Sequence, residues 1–454
     1  MTQAGHRDPR AEAVSALSRV LSGRTRSTDE VHRARGALEP RDAALFQALL
    51  LGVLRRRRAL EAVLQPLVHR PLDTTPAPLR ETLMVLAFQG LFLDRVPSHA
   101  RLSSAVEVAR RLGGEAGARF VNAVGRALEK RLTESDPLQG LAPEARASIP
   151  DWIAARVRQA DRGPWTDDLW EAFGQPAPST LRLYPSSEPQ AVVLERLRAL
   201  GITAEPTRFA RRGLRVLEGT PLGDPDLVPR RMIPQDEASQ LVVESLAPRD
   251  EERILDLCAG HGLKTIQVLQ EAPGARVVAV DLHEPKLAEA RKLATRMGLP
   301  RFRTLAMDAR DLPGRLPPAS FDRVILDAPC TGLGTLVRRP EVRWTRRDRD
   351  VTAAAVLQRE ILATAARMVR PGGRVVYAVC SFTEEEGPGH RQHALACGLE
   401  PEPIVADFPF RHPDGTLRPL PWRDGMDGFF IGVFRRVDRD PDPCDSVPGN
   451  LLGQ

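Results

Sequence analysis

The sequence predicts a multidomain protein in which an all-α domain and a small α/β subdomain precede a larger, doubly wound α/β domain. Helical patterning extends from about Ala11 to Leu132. From Arg253 to Cys380, short apolar runs alternate with helical patterns, and the runs finish in Gly, Asp or Cys. This alternation is typical of a parallel sheet covered by helices, which binds ligands beyond the carboxyl ends of its strands. We therefore expect the functional site where those strand ends meet.

Length and composition are those of an ordinary globular protein with several domains. The 454 residues are 42% hydrophobic and 27% charged, which is enough apolar content for two or three cores. The net charge is +6, and much of the positive charge is arginine, whose planar guanidinium matches phosphate. A polyanionic partner and a merely solvated basic surface are equally compatible with this charge.

The five cysteines are too few for a disulfide scaffold in a chain of this length, and they form no C-x-x-C pair. We therefore expect neither a structural zinc site nor any other metal. The first thirty residues lack an apolar signal core, and no apolar run reaches membrane-spanning length. These features predict a reduced, cytoplasmic protein that does not engage a membrane.

The N-terminal helices are expected to form a bundle. Residues 43–54 are too densely apolar for a solvent-facing stripe, so this helix should lie inside the bundle, with Asp42 as its cap. Residues 55–58 are four arginines, which we place at the helix C-terminus, where they complement the helix dipole. Because four successive side chains cannot share one face, an RNA-facing contribution stays open. The region contains no catalytic constellation, which indicates a binding or docking module.

The predicted domain bounds follow from proline-rich breaks and from changes in periodicity. Residues 8–135 form the all-α domain, 150–234 the small subdomain and 235–436 the sheet domain. Residues 437–454 are rich in Pro and Asp and are expected to be disordered.

A glycine turn follows the first strand of the sheet domain. Gly260 and Gly262 let backbone amides approach a ligand, and Asp281 ends the next strand, at a spacing suited to a ribose diol. A nicotinamide site would carry a third glycine where Thr265 stands, and a phosphate-binding P-loop would carry a leading glycine that is missing. By itself the turn does not select a cofactor.

Two cysteines at strand ends make the chemistry more specific. Asp327 and Cys330 close one strand, and Cys380 closes another. Thiolate attack at C6 of a pyrimidine makes C5 nucleophilic, and a carboxyl group on N3 stabilises the ring charge. C5 then takes a methyl group from a sulfonium donor, and a second thiol accepts the C5 proton. The spacing alone does not rank the two cysteines.

These motifs resemble those of the Sun-type RNA cytosine-C5 methyltransferases, and the whole chain resembles the bacterial branch that modifies 16S ribosomal RNA. The helical N-terminus is similar to the RNA-binding protein NusB, which that branch carries fused to a Rossmann-like catalytic domain. The resemblance covers residues 11–434 and rests on DLCAGHGLKT at 256–265, Val280-Asp281, Asp308, DAPCTGLG at 327–334 and YAVCS at 377–381.

The resemblance implies a role for each matching residue. S-adenosylmethionine would be held by the 258–264 turn, which comprises Cys258, Ala259, Gly260, His261, Gly262, Leu263 and Lys264. Asp281 would bind its ribose, Asp308 its adenine end, and Asp327 would border both donor and target base. Cys380 would be the nucleophile and Cys330 would act in proton removal and release, with Asp327 and Lys264 as further polar groups of the active site.

The turn departs from the usual Cys-Ala-x-Pro-Gly-Gly-Lys pattern at two positions. His261 replaces the proline, where we expect it to fill the proline's space rather than to bind the donor carboxylate. Leu263 replaces a glycine, which bears on donor affinity and not on donor identity.

A basic run with one aromatic residue follows the Pro-Cys motif at residues 336–347. Arginines on phosphates and aromatics under splayed bases are the usual means of binding single-stranded RNA. Because the run adjoins the expected target pocket, we interpret it as an RNA contact rather than as a solvated charged face.

The predicted function is therefore S-adenosylmethionine-dependent methylation of RNA at cytosine C5, with 16S ribosomal RNA as substrate and a monomeric enzyme. Transfer RNA is the alternative substrate, and the NusB-like fusion favours ribosomal RNA by analogy. A non-catalytic antitermination factor would not need both cysteines and all three aspartates. A nicotinamide oxidoreductase would need the missing third glycine.

Overall fold

The computed structural model of the chain describes residues 7–93, 96–185 and 188–438. The helices are α1 Pro9–Leu21, α2 Ser27–Ala37, α3 Pro40–Leu64, α4 Ala77–Phe92, α5 Ser98–Glu134, α6 Pro143–Arg146, α7 Asp151–Ala160, α8 Asp167–Glu171, α9 Gln190–Ala199, α10 Glu237–Leu246, α11 Leu263–Glu271, α12 Glu284–Arg296, α13 Val342–Thr345, α14 Arg349–Met368, α15 Arg391–Ala396 and α16 Pro421–Asp424. The strands are β1 Ser179–Leu183, β2 Thr203–Pro206, β3 Gly213–Glu218, β4 Met232–Pro234, β5 Arg253–Leu257, β6 Arg276–Asp281, β7 Arg303–Ala306, β8 Phe321–Asp327, β9 Val369–Val379, β10 Leu399–Pro401 and β11 Phe430–Arg436.

The chain divides into two compact units. The first comprises residues 1–176 together with 336–347, and the second comprises 177–335 together with 348–454. Residues 150–176 thus group with the helical unit, whereas we expected them in the small subdomain. The reason is that α6 and the 3₁₀ turn Ala172–Gly174 both pack on α3, and α8 packs on α6. The expected tail begins at 437, and its residues from 439 lie outside the described part of the chain.

The helical unit is a bundle in which α1, α3, α4 and α5 surround one apolar core. The long α3 and α4 approach each other closely at Gly52. A Cβ atom there would lie 2.0 Å from the Phe88 ring on α4, so glycine is what permits the contact. Leu17, Leu50 and Leu86, which are fully buried, show that three of these helices turn their apolar faces inward.

Helix α3 is longer than expected. It begins at Pro40 and ends at Leu64, so the four arginines at 55–58 lie in its middle and not at its C-terminus. The buried face continues beyond them, through residues 59, 60, 63 and 64, and this continued burial extends the helix. Asp42 lies in the first turn and Glu39 is the N-cap residue, so the predicted Asp42 cap is wrong.

The 336–347 segment is part of the core of the helical unit. Arg343 is 1% exposed and donates to the backbone oxygens of Arg55, Ala147, Phe173 and Leu336, at 2.5 to 3.2 Å. The Trp344 indole N–H donates to Leu54 O at 2.7 Å. The interpretation of this run as an RNA contact is therefore wrong for Arg343 and Trp344, because Arg343 is buried and its two terminal nitrogens, like the Trp344 indole N–H, donate to backbone carbonyls.

The second unit holds two sheets. The small one is antiparallel, with strand order β2-β3-β1-β4. The large one has seven strands in the order β10-β11-β9-β8-β5-β6-β7. The strands β9, β8, β5, β6 and β7 are parallel to one another, and β10 and β11 pair antiparallel with their neighbours. The large sheet has an apolar cluster on each face, as expected of a sheet covered by helices on both sides.

The strand order reverses at β5. This strand pairs with β6 on one side and with β8 on the other, and β8 pairs in turn with β9. In register, Leu257 lies opposite both Val280 and Leu326, and Asp327 lies opposite Ala378. The carboxyl ends of β5, β6, β8 and β9 therefore meet at one edge, and in open α/β sheets the ligand crevice lies at such a reversal.

Within the described ranges, no helix is both long enough and apolar enough to cross a membrane.

Candidate active site

The turn after β5 has the backbone conformation that its glycines suggested. Cys258, Gly260 and Gly262 all have positive φ, at 63°, 58° and 75°. A Cβ on Gly260 would meet nothing within 4 Å, whereas one on Gly262 would lie 2.5 Å from the Ala290 side chain. Gly262 therefore permits helix packing, and Gly260 leaves open space over the turn. An open, glycine-lined turn at the start of α11 is suited to a ligand that approaches the backbone.

Asp281 holds this turn in place from the end of β6. One carboxylate oxygen accepts the Gly260 N–H at 2.8 Å, and the other accepts the His283 N–H at 2.9 Å. Lys286 Nζ lies 3.8 Å from the second oxygen. A carboxylate has about four acceptor positions, so Asp281 retains capacity for a diol while it fixes the turn.

Lys264 and Asp327 form an ion pair between the start of α11 and the end of β8. Nζ lies 2.5 Å from Asp327 Oδ2, and it also lies 5.8 Å from the centre of the Phe429 ring. Burial alone would lower the pKa of Lys264, but the Asp327 charge and hydrogen bond outweigh burial and raise it. Lys264 is therefore a cation at this edge of the sheet, and its role as a polar active-site residue stays a prediction.

Asp256 lies beneath this pair, within β5. It is fully buried, and Thr265 Oγ1 donates to its Oδ2 at 2.5 Å. Burial raises the pKa of this carboxyl group to about 7. Asp256 therefore supports the start of α11 from within the core and does not face a ligand.

Asp308 follows β7, whereas His261 and Leu263 belong to the turn after β5. Asp308 caps the 3₁₀ turn Ala309–Gly314 and pairs with Arg310 at 2.7 Å, which lowers the pKa of the Asp308 carboxyl. The exposed His261 ring lies 2.8 Å from Glu289 Oε2 on α12. His261 and Leu263 both line an open surface depression along α12. His261 thus has a structural partner, and its relation to a donor carboxylate stays a prediction.

Cys330 and Cys380 lie side by side, although fifty residues separate them in the chain. Their sulfur atoms are 3.1 Å apart, and both thiols are free. Cys330 follows β8 in the loop that begins at Ala328, and Cys380 directly follows β9. Because β8 and β9 are neighbours in the parallel sheet, their loops converge on this point.

The backbone of the two cysteine loops is also joined. The Gly334 N–H donates to Cys380 O at 2.9 Å, and the Gly428 N–H donates to Gly334 O at 2.8 Å. A Cβ on Gly334 would lie 1.9 Å from Gly428 O and 3.0 Å from Cys380 O. The last glycine of the DAPCTGLG motif is therefore required by the close approach of these loops.

The surroundings of Cys330 favour its protonated form. The hydrogen bond to Cys380, together with burial, raises the pKa of Cys330 well above that of a free thiol. Either sulfur can be the donor in their contact. Cys258 is a third free thiol, and burial near several carboxylates raises its pKa as well.

Sequence reasoning missed one functional group of this site, the buried carboxylate of Glu386. It lies six residues after Cys380 in a run of three glutamates, and only the third of them is buried. A run of acidic residues ordinarily indicates a solvated loop. The hydroxyl residues Ser381 and Thr383 just before it were the available signal, because buried carboxylates require donors.

In the described ranges, no three His, Cys, Asp or Glu side chains are grouped so as to hold a metal ion.

Comparisons with known proteins agree with this geometry. The model of the family described as 16S rRNA methyltransferase RsmB/F matches residues 243–435, and that of the NusB family matches residues 7–130. Ribosomal RNA small subunit methyltransferase B of Vibrio cholerae is 32% identical over 433 residues, which cover 94% of this chain and 97% of that protein. The chain belongs to the RsmB/F family of methyltransferases.

Further relatives and solved structures match 64% to 94% of the chain. The probable ribosomal RNA small subunit methyltransferase B of Bacillus subtilis is 30% identical, over 88% of this chain and 92% of that protein. The crystal structure of PH0851 has a TM-score of 0.80 at 21% identity, covering 94% of this chain and 99% of that one. NSun6 from Pyrococcus horikoshii has a TM-score of 0.58 at 18% identity, over 64% of this chain and 99% of that one.

Membership of the RsmB/F family confirms two predictions made from the sequence. The fold is a NusB-like all-α domain joined to a Rossmann-like methyltransferase domain. The protein is an S-adenosylmethionine-dependent RNA methyltransferase rather than a nicotinamide oxidoreductase.

Proposed function

We propose that this protein methylates C5 of a cytosine in 16S ribosomal RNA, with Cys380 as nucleophile and Cys330 as the group that removes the C5 proton. The observation that carries the proposal is the contact between the two sulfurs, 3.1 Å apart at the carboxyl edge of the sheet. This reaction requires one thiol that bonds to C6 and a second thiol near C5. The names of the relatives, which specify the small ribosomal subunit, support the substrate.

S-adenosylmethionine would be held by residues 258–264 and by Asp281, Asp308 and Asp327. The open space over Gly260 and the remaining acceptor capacity of Asp281 fit an adenosine ribose. When bound, this donor supplies an electrophilic methyl group. Asp327 is fixed by Lys264 on one side, so its other oxygen is available to a base or to the donor.

The order of the two cysteines follows the family resemblance and agrees with the surroundings of Cys330. Because the raised pKa keeps Cys330 protonated, we assign the attack on C6 to Cys380. That attack forms the S–C6 bond and places an electron pair on C5, which takes the methyl group. Asp327, proposed to contact N3, would stabilise the charge on the ring.

Bonding of Cys380 to the base changes the state of Cys330. Two of the causes that raise the pKa of Cys330, its hydrogen bond to Cys380 and the charge of Cys380, disappear once that sulfur is a thioether. Burial and the charges of Glu386 and Asp327 still raise the pKa of Cys330, so its own proton must pass to solvent before Cys330 can serve as the base. Cys330 takes the C5 proton, the S–C6 bond breaks, and Cys380 leaves as a thiolate.

The helical domain is proposed to dock the RNA, and the enzyme is proposed to act as a monomer in the cytoplasm. The match of residues 7–130 to the NusB family supports the docking role. Deleting residues 7–130 would also remove the Arg55 and Leu54 carbonyls that accept from Arg343 and Trp344, so charge reversal of exposed arginines such as Arg24 and Arg26 is the cleaner test. Weaker RNA binding with unchanged donor binding is expected, and unchanged RNA binding would place the docking surface elsewhere.

Bisulfite sequencing tests the reaction and the substrate together. A strain that lacks this gene is complemented with the wild-type chain or with Cys380→Ser, and its 16S ribosomal RNA and transfer RNA are sequenced. We expect a cytosine of 16S ribosomal RNA to resist bisulfite conversion in the strain that carries the wild-type chain and to be converted in the strain that carries Cys380→Ser. A resistant cytosine in transfer RNA instead would identify transfer RNA as the substrate. Resistance restored by Cys380→Ser would exclude Cys380 as the nucleophile.

A further inference from the structure

Glu386 is a buried carboxylate beside the two cysteines to which the reaction above assigns no role. Its side chain is fully buried in the loop after β9. Burying a carboxylate is costly unless donors surround it, so its presence here requires a compensating set of hydrogen bonds.

The donors come from both cysteine loops. Oε1 accepts the Thr331 N–H at 2.8 Å, and Oε2 accepts the hydroxyls of Thr331 and Ser381, each at 2.6 Å. Thr331 directly follows Cys330, and Ser381 directly follows Cys380. One carboxylate therefore bonds the residue next to each cysteine, and its two bonds to Thr331 bridge the two loops.

Two further donors complete the set. Thr383 Oγ1 donates to Oε2 at 3.0 Å, and Gln358 Nε2 donates to Oε1 at 3.2 Å. Gln358 Nε2 also donates to Pro329 O at 2.8 Å, on the residue just before Cys330. The backbone on both sides of Cys330 is thus held, by Glu386 directly and by Gln358.

Glu386 is itself fixed by the strand that carries Cys380. The buried Tyr377 hydroxyl donates to Glu386 O at 2.6 Å. His390 stands edge-on to the Tyr377 ring, and its Nε2 lies 2.9 Å from Gln358 Oε1. Burial lowers the pKa of His390 to about 3, so it is a neutral ring that donates from Nε2. The carboxylate therefore sits at a defined point of a rigid cluster and not at the end of a mobile side chain.

We propose that Glu386 is a positioning residue that fixes the loops after β8 and β9 to each other, and so keeps the Cys330 and Cys380 sulfurs in contact. Its expected effect on catalysis rests on the proposed function, in which both sulfurs act on one base. Its effect on the distance between the sulfurs does not rest on the proposed function. The positioning role and the proposed function can therefore be tested separately.

The substitution Glu386→Gln keeps the shape of the side chain. Its amide nitrogen can be accommodated only beside the three hydroxyls, because the Thr331 N–H and the Gln358 amide N–H groups cannot accept. The hydroxyls of Thr331 and Ser381 must then turn round, and the charge that strengthens these bonds is lost. Glu384→Gln is the matched control, since this neighbouring glutamate is exposed.

The direct measurement is the equilibrium between the two thiols and their disulfide in glutathione buffers, on the full chain without RNA or donor. Two protein thiols and one oxidised glutathione give one Cys330–Cys380 disulfide and two reduced glutathiones. The linked peptides are quantified by mass spectrometry. We expect the equilibrium constant to fall about tenfold in Glu386→Gln and to be unchanged in Glu384→Gln, because held thiols have a higher effective concentration.

A second measurement concerns catalysis. In Glu386→Gln, kcat for methyl transfer should fall about 10- to 100-fold, while the Kd of the donor stays near that of Glu384→Gln. Should Glu386→Gln fail to fold, Ser381→Ala removes a single donor and is expected to shift the thiol equilibrium about threefold in the same direction.

A thiol equilibrium equal to that of the wild type in a folded Glu386→Gln chain would overturn the proposal. A wild-type chain with an intact thiol equilibrium and no cytosine methylation would overturn the proposed function alone.

Discussion

Lys264 Nζ and Asp327 Oδ2 lie 2.5 Å apart, and this ion pair joins the glycine turn after β5 to the strand end that leads to Cys330. Asp327 is proposed to contact both the donor and the target base, so its charge and direction matter for binding and for chemistry. The pair is partly buried, with side-chain exposures of 11% and 29%. A solvent-exposed ion pair contributes little to stability. Breaking an ion pair that is shielded from water is costly, because it leaves an unpaired charge.

Replacing Lys264 by Met should therefore lower both stability and activity. The aspartate would keep its charge in the cleft but lose the group that directs it, and we expect kcat/KM to fall about 100-fold, which corresponds to ~3 kcal/mol. Lys292→Met, in the exposed face of α12, is the control. Initial rates of tritiated methyl transfer measure both. Equal rates for the two variants would mean that Asp327 does not depend on Lys264.

Asp256 predicts a pH dependence of stability. Its pKa is raised by burial from 3.8 to about 7, so the folded state binds more protons than the unfolded state between these values. The stability contributed by this group is fully present below pH 3.8 and is lost as the pH rises to about 7. The neutral Asp256→Asn chain should lack this loss and should be at least as stable as the wild type at pH 8.

Urea unfolding of the wild type and of Asp256→Asn across pH 4 to 8 isolates the contribution of this residue as the difference between the two curves. Asp308→Asn is the contrast, since Arg310 lowers the pKa of Asp308 from 3.8 and its contribution stays constant over this range, being lost only at lower pH. A constant difference between wild type and Asp256→Asn would contradict the raised pKa.

Arg343 predicts a large effect on stability that has no relation to RNA contact. Its removal leaves four backbone carbonyls of the helical unit without their donor, and we expect Arg343→Met to lower the free energy of unfolding by ~3–5 kcal/mol. Arg126→Met, an exposed position on α5, should change it by less than ~0.5 kcal/mol. Chemical denaturation measures both. A fully stable Arg343→Met chain with weakened RNA binding would restore the RNA-contact interpretation.

Gly334 predicts that one methyl group at the junction of the loops impairs the enzyme. In Gly334→Ala the new Cβ would collide with Gly428 O and crowd Cys380 O, so the loops must separate. Overpacking of this kind lowers the free energy of unfolding by ~1–3 kcal/mol. Because these loops carry the two cysteines, their separation should displace the sulfurs and lower kcat about 10- to 100-fold. Gly314→Ala, where a Cβ meets nothing within 4 Å, is the control. Wild-type kcat in Gly334→Ala would mean that the loop contact does not set the sulfur positions.

The sequence was most informative about the sheet, because each parallel strand ends in a residue with its own chemistry. Gly260, Asp281, Asp327 and Cys380 could be assigned to one edge because the carboxyl ends of parallel strands meet there. The distance between the two sulfurs could not be predicted, since it depends on the β8–β9 register and on two loops. Strand order fixes neighbours and does not fix side-chain contacts.

Buried charge was the feature that sequence reasoning misjudged. The basic run at 336–347 was interpreted as an RNA contact because the carbonyls that bind Arg343 come from residues 55, 147, 173 and 336, mostly distant in the chain. The arginines at 55–58 suggested a helix end because buried apolar positions resume only after them. Glu386 was missed because three consecutive glutamates do not reveal which one turns inward.

Adduct trapping with RNA that carries 5-fluorocytosine tests the roles of the two sulfurs most directly, because fluorine at C5 prevents release of the covalent complex. The wild-type chain should form an adduct that resists denaturing gels and contains a Cys380–C6 bond by mass spectrometry, and Cys380→Ser should form none. With ordinary RNA, Cys330→Ala should accumulate the adduct that the wild type resolves. An adduct on Cys330, or methyl transfer by Cys380→Ser at the wild-type rate, would contradict the assignment.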